Sequence, residues 1–75
     1  MTRLQDLNRA AFVWAVLQEE PSISFNDGHM ATFCFADSGR ANAALAAFET
    51  GGVVEAKTFS RLRDSLFRRV RGGGK

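Results

Sequence analysis

Apolar residues recur at spacings of three and four near the start of the chain and form one stripe: Leu4, Leu7, Ala11, Trp14 and Ala15. This period is that of an amphipathic helix, and it predicts a helix over residues 3–19. Thr2 is a suitable N-cap residue for this helix. Pro21 follows just beyond its end and stops it, because proline disfavours helical backbone in the residue before it.

Phe12, Val13 and Leu17 are also apolar but lie off this stripe, at about 80° to 140° from its centre when each residue advances by 100°. Two explanations are open. The first helix is buried widely inside the fold, which we favour, or Phe12 and Val13 form a protein interface with a second copy or another partner.

Residues 22–36 alternate between apolar and polar side chains on either side of turn-forming residues, a pattern typical of a β-hairpin. A three-residue loop, Asn26 to Gly28, is expected, because it gathers the large apolar groups on one face: Ile23, Phe25, Ala31, Phe33 and Phe35. In this register His29 pairs with Phe25, and Cys34 lies on the opposite face.

Two more helices are predicted in the second half of the chain. Residues 38–50 form the first, capped by Asp37 or Ser38 and stopped by Gly51 and Gly52. Residues 56–70 form the second, with a single apolar face made of Phe59, Leu62, Leu66 and Val70.

The predicted order is therefore α-β-β-α-α, an α+β fold with a two-stranded antiparallel hairpin packed against helices. With 75 residues the chain has room for one domain. We expect a single compact domain over residues 1–71 and a flexible glycine-rich tail over residues 72–75.

Charge divides unevenly along the chain. Residues 1–37 carry two basic and five acidic side chains, a net charge of −3, whereas residues 38–75 carry eight basic and three acidic ones, a net charge of +5. Such a bias favours nucleic acid or an acidic protein surface as partner. Lys57, Arg61 and Arg68 lie opposite the apolar face of the predicted third helix, and Arg71 follows just beyond its end. These four are the candidate contact residues. Asp64 lies among them and is spaced for an i,i+4 ion pair with Arg68.

Catalytic and metal-binding chemistry has little support. The chain has one cysteine, Cys34, and one histidine, His29, which are too few for a structural zinc site, and the predicted hairpin places them on different faces. We therefore expect no enzyme activity, cofactor or metal. The unpaired cysteine and the lack of a recognisable signal peptide favour a cytoplasmic protein. No apolar run is long enough to cross a membrane.

Two nucleic-acid-binding motifs are matched in part. Residues 28–35, followed by an alanine-rich helix, resemble the second half of an RNA-recognition motif, but Met30 and Thr32 occupy the two positions where that family has aromatic residues. The predicted elements also lack its first strand-helix-strand half. Residues 43–61 resemble a helix-turn-helix, except that Lys57 stands where that motif needs an apolar residue.

Four short stretches resemble a small bacterial family of domains of unknown function: residues 7–12, 33–38, 47–51 and 59–63. The resemblance implies the α-β-β-α-α order, and it carries over no catalytic residue. Short proteins of this kind often come from phages, which implies a second class of function for this chain.

These observations lead to two hypotheses. The first is a non-catalytic accessory or regulatory module that binds nucleic acid or a nucleoprotein complex through the basic third helix. The second is a phage-encoded, anti-CRISPR-like protein inhibitor that blocks a bacterial defence complex sterically. In either case we expect a monomer or a homodimer that does not bind membranes.

Overall fold

The computed structural model describes residues 1–26, 28 and 30–73 and has an α+β fold, as the sequence predicted. Its elements in chain order are β1 (Thr2–Leu4), α1 (Leu7–Leu17), β2 (Ser22–Phe25), β3 (Ala31–Phe35), α2 (Ser38–Glu49) and α3 (Ala56–Gly73). The order is therefore β-α-β-β-α-α rather than α-β-β-α-α.

The sheet has three strands in the order β1-β3-β2, and β3 is antiparallel to both neighbours. Consequently β1 and β2 run parallel to each other with β3 between them, and α1 connects them. This arrangement is a split β-α-β unit. Phe33 of β3 lies at its centre and pairs with Leu4 on one side and Ile23 on the other.

The strand β1 corrects the predicted first helix. Asp6, and not Thr2, is the N-cap of α1, since its carboxylate accepts the backbone N–H of Asn8 at 2.8 Å. In the sequence Leu4 fits the helical spacing, but in the structure it belongs to β1 and pairs with Phe33. Pairing with β1 covers an edge of β3 that a two-stranded hairpin would leave open.

The hairpin has the predicted faces but a different register. Phe25 pairs with Ala31, so the connection runs from residue 26 to residue 30 instead of spanning three residues. The side chain of Asn26 organises this loop by accepting the backbone N–H groups of Gly28 and Met30. The predicted partner of Phe25, His29, lies outside the described residues, and Ala31 occupies that pairing position.

The core lies between the sheet and the helices. Phe33 and Phe35 of β3 are buried against a layer from the helices that comprises Ala10, Ala11, Val13, Leu17, Ala41, Ala44 and Leu66. Phe12 and Val13 are buried as well, with 3% and 0% of their surface exposed. The structure thus shows the wide burial of α1 that the sequence pattern favoured.

The turn after α2 sets the start of α3. Asp37 caps α2 by accepting the backbone N–H of Arg40, and Gly51 adopts a positive φ of 85° just beyond the helix. Gly52 passes so close to α2 that a Cβ there would lie 2.7 Å from the carbonyl oxygen of Ala47. The following helix, α3, continues to Gly73, three residues beyond its predicted end, and residues 74 and 75 lie outside the described part.

The central position of Phe33 predicts a large effect on stability. We expect Phe33→Ala to lower the free energy of unfolding by about 3–5 kcal/mol, because it removes a buried ring and leaves a cavity. Chemical denaturation monitored by the fluorescence of Trp14 measures this change. Met30→Ala is the control, since Met30 is 54% exposed and should change stability by about 0.5 kcal/mol or less. Equal stability of the two variants would contradict the assignment of the sheet faces.

Candidate nucleic-acid interface

The helix α3 has two sides of opposite character. Leu62 and Leu66 are buried, with 9% and 0% of their surface exposed, and they fix one side of the helix against the fold. The four predicted contact residues are all exposed on the other side: Lys57, Arg61, Arg68 and Arg71. At 100° per residue they fall within an arc of about 80°. We call these four residues the outer basic face.

Two further arginines of α3 lie at the borders of its buried side, and both bind groups from the first half of the chain. Arg63 donates to the side-chain oxygen of Asn8 at 2.7 Å, and Arg69 donates to Glu20 at 2.7 Å. These contacts fix the rotation of α3 about its axis on both sides of Leu66. The structure therefore separates Arg63 and Arg69 from the outer basic face.

Three acidic residues of the first half, together with Glu49 of the second, bind arginines away from the outer basic face. Arg9 donates to Asp6 at 2.6 Å and to Glu49 at 2.9 Å, and the hydrogen bond and charge of Glu49 raise the pKa of Arg9 above its ordinary value. Arg40 lies 3.5 Å from Glu19. These carboxylates, together with Glu20, are therefore neutralised away from the outer basic face.

Within residues 1–26, 28 and 30–73, no ion pair within 4 Å involves a residue of the outer basic face. Asp64 lies in the same arc, but its predicted ion pair with Arg68 is not formed. With four basic residues and one acidic residue, this surface carries a net charge of +3. Because Lys57 and Arg71 are fourteen residues apart, it extends about 21 Å along the helix.

An exposed aromatic ring borders the outer basic face. Phe67 is 47% exposed, and the guanidinium of Arg71 lies over its ring, 5.7 Å from the centroid. Phe67 also lines a shallow groove of about 270 Å³ together with Gln5, Leu7, Met30, Ala31, Phe33 and Val70. The sequence analysis did not single out Phe67, although it is a large apolar residue just outside the apolar stripe of α3.

A second apolar groove of about 340 Å³ lies where α2 joins α3 and is lined by Phe12, Phe48, Gly52, Val53, Val54, Ala56 and Phe59. Val53 at its rim is 91% exposed. The two proposed interface residues of α1 contribute little to the surface here, because Val13 is buried and Phe12 packs edge-on against Phe48 with ring centroids 5.2 Å apart.

The face of the sheet opposite the helices is polar. Pairing brings Arg3, Cys34 and Ser22 into one row, and Thr32 and Ser24 into the next. The strand-helix-strand half of an RNA-recognition motif, which the predicted elements lacked, is present as β1, α1 and β2. However, the two motif positions that should be aromatic are still Met30 and Thr32, and among the described residues this face has no ring on which a base could stack.

The helices α2 and α3 do not form the helix-turn-helix that residues 43–61 partly resemble. Both pack mainly on α1 and make few contacts with each other, whereas the two helices of that motif are directly joined and packed together. Lys57, the residue that departs from the motif in the sequence, is exposed in the first turn of α3. Its exposure suits a polyanion contact and not a helix-packing position.

Cys34 is partly buried on the polar face of the sheet, the side on which the sequence placed it, and His29 lies outside the described residues. In the part of the chain that the structure describes, no three cysteine, histidine, aspartate or glutamate side chains are grouped as metal ligands. None of the described helices has both the length and the apolar character needed to cross a membrane.

No protein-family model matches this chain, and neither a curated protein nor a solved structure shows significant similarity to it. The resemblance to a family of unknown function thus stays a prediction. The charge and shape of these surfaces are therefore the features that bear on the function of the protein.

Proposed function

We propose that this protein is a non-catalytic accessory module that binds nucleic acid, alone or within a nucleoprotein complex, through the outer basic face of α3. The observation that supports this function most strongly is the separation of charge. Arg9, Arg40 and Arg69 pair with carboxylates, whereas the outer basic face has no such partner among the described residues.

A row of basic side chains binds nucleic acid by displacing counterions from the phosphates. Lys57 and Arg61 lie one helical turn apart, as do Arg68 and Arg71, and a span of about 21 Å lets them contact several phosphates at once. Contacts to phosphates position a protein but do not read base sequence. The outer basic face therefore supports binding that depends strongly on salt and weakly on sequence.

The second candidate function is inhibition of a protein complex, as in a phage-encoded blocker of a bacterial defence system. The apolar groove beside Val53 favours it, because exposed apolar surface with a polar surround is typical of protein-binding sites. A pull-down from nuclease-treated bacterial lysate separates the two functions. Retention of a defined protein partner without nucleic acid would favour the inhibitor, provided that the Val53→Asp variant no longer retains that partner.

The proposed function predicts a definite salt dependence. Four phosphate contacts should give a plot of log K against log salt concentration with a slope of about −3. Fluorescence anisotropy with a labelled oligonucleotide, measured from 50 to 200 mM salt at protein concentrations up to about 0.1 mM, tests this. Absence of binding at 50 mM salt, or a slope near zero, would contradict the proposal.

Single charge changes should locate the contact surface. We expect Arg61→Gln to reduce the salt slope by about one unit and to weaken binding, and Asp64→Asn to strengthen it by removing the one acidic group in the same arc. Arg3→Gln is the matched control, because Arg3 is an exposed arginine on the polar face of the sheet.

Neither arginine substitution should change the free energy of unfolding by more than about 0.5 kcal/mol, as thermal denaturation will show. An Arg3→Gln variant that binds as weakly as Arg61→Gln would mean that the sheet, or net charge alone, is responsible for binding.

A further inference from the structure

We infer that the nucleic acid bound by the outer basic face is single-stranded and that one of its bases stacks on Phe67. This inference rests on the proposed function and adds the class of nucleic acid to it. It depends on an observation that phosphate binding alone does not explain: the half-exposed ring of Phe67 lies beside the outer basic face and in contact with Arg71.

Phe67 occupies the border between the basic surface and an apolar groove. On one side it lies one helical turn before Arg71, whose guanidinium contacts its ring. On its other side the groove of about 270 Å³ is lined by Leu7, Met30 and Val70. That volume is slightly below the range of sites for drug-sized ligands, which suits a single flat ring.

The position of Arg71 shows that one face of the Phe67 ring is open to a planar group. The guanidinium lies over Phe67 at 5.7 Å from the centroid, a cation–π contact at an exposed site. Stacking of a base on an aromatic ring is generally the stronger interaction. A base can therefore replace the guanidinium on the ring, and Arg71 is then released to contact the neighbouring phosphate.

This arrangement favours a single strand over a duplex. In a duplex the faces of the bases are covered by their neighbours, and only their edges are accessible in the grooves. In a single strand the bases can turn out and stack on aromatic side chains while the backbone follows basic residues. Phe67 and Arg71 lie one turn apart on the same side of α3, so a base and an adjacent phosphate can be bound together.

The test uses three probes with the unmodified protein: an oligothymidine of twelve nucleotides, an abasic strand of the same length and charge, and a duplex of twelve base pairs. If a base stacks on Phe67, oligothymidine should bind at least about fivefold more tightly than the abasic strand. It should also bind more tightly than the duplex when compared at equal salt concentration.

Substitutions at Phe67 then identify the ring responsible. Phe67→Leu keeps an apolar side chain and should remove the preference for oligothymidine over the abasic strand. Phe67→Tyr keeps the ring and should retain the preference. Arg61→Gln is the matched control, because loss of a phosphate contact should weaken binding to both single strands by the same factor.

The outcomes separate this inference from the proposed function. If none of the three probes binds at 50 mM salt, the proposed function fails. If the unmodified protein binds oligothymidine and the abasic strand equally, the protein binds phosphates but the stacking inference is overturned. If Phe67→Leu instead converts a dimer into a monomer in analytical ultracentrifugation, the groove is a contact between two copies and the inference is likewise overturned.

Discussion

The burial of Leu62 and Leu66 against the rest of the fold is the constraint on which the other features depend. It fixes which side of α3 faces inward, and thereby places Lys57, Arg61 and Arg68 outward. Arg63 binds Asn8 at one border of the buried side, and Arg69 binds Glu20 at the other. Both contacts hold α3 in the same orientation as the buried leucines do. A helix held in this way presents a defined surface, although each exposed ion pair contributes little stability.

The distribution of charge becomes meaningful only in three dimensions. Along the chain, an acidic first half with a net charge of −3 precedes a basic second half with a net charge of +5, so pairing between the halves could leave as little as +2 unpaired. In the fold, Asp6 and Glu49 pair with Arg9 where α1 meets α2, and Glu20 pairs with Arg69 near the end of α3. Arg9 also lies over the ring of Phe48. Four other basic residues, Lys57, Arg61, Arg68 and Arg71, collect on one exposed surface, where a polyanion gains from all of them together.

Much of the fold follows from local patterns. The helix cap at Asp37, the stop at Gly51 and the shared face of Phe33 and Phe35 were predicted because each depends on a few neighbouring residues. The strand β1 was missed because three residues show no period of their own. Its conformation is set by pairing with β3, about thirty residues away in the chain.

The candidate site was predictable in its charge and less so in its detail. The exposed positions of Lys57, Arg61, Arg68 and Arg71 follow from helical periodicity once the apolar side is known. The missing ion pair between Asp64 and Arg68, and the contact of Arg71 with Phe67, depend on side-chain conformations that spacing does not determine. The groove beside Phe67 includes residues from α1, β3 and α3, so no local pattern signals it.

The most direct test of this account is to map the contact surface by NMR, recording backbone amide and arginine Nε–H signals during titration with a single-stranded oligonucleotide. The account predicts that the largest shifts occur on the outward side of α3, at Arg61, Asp64 and Arg68, and that they diminish as salt is added. Shifts concentrated instead at Arg3, Thr32 and Cys34, on the polar face of the sheet, would contradict it.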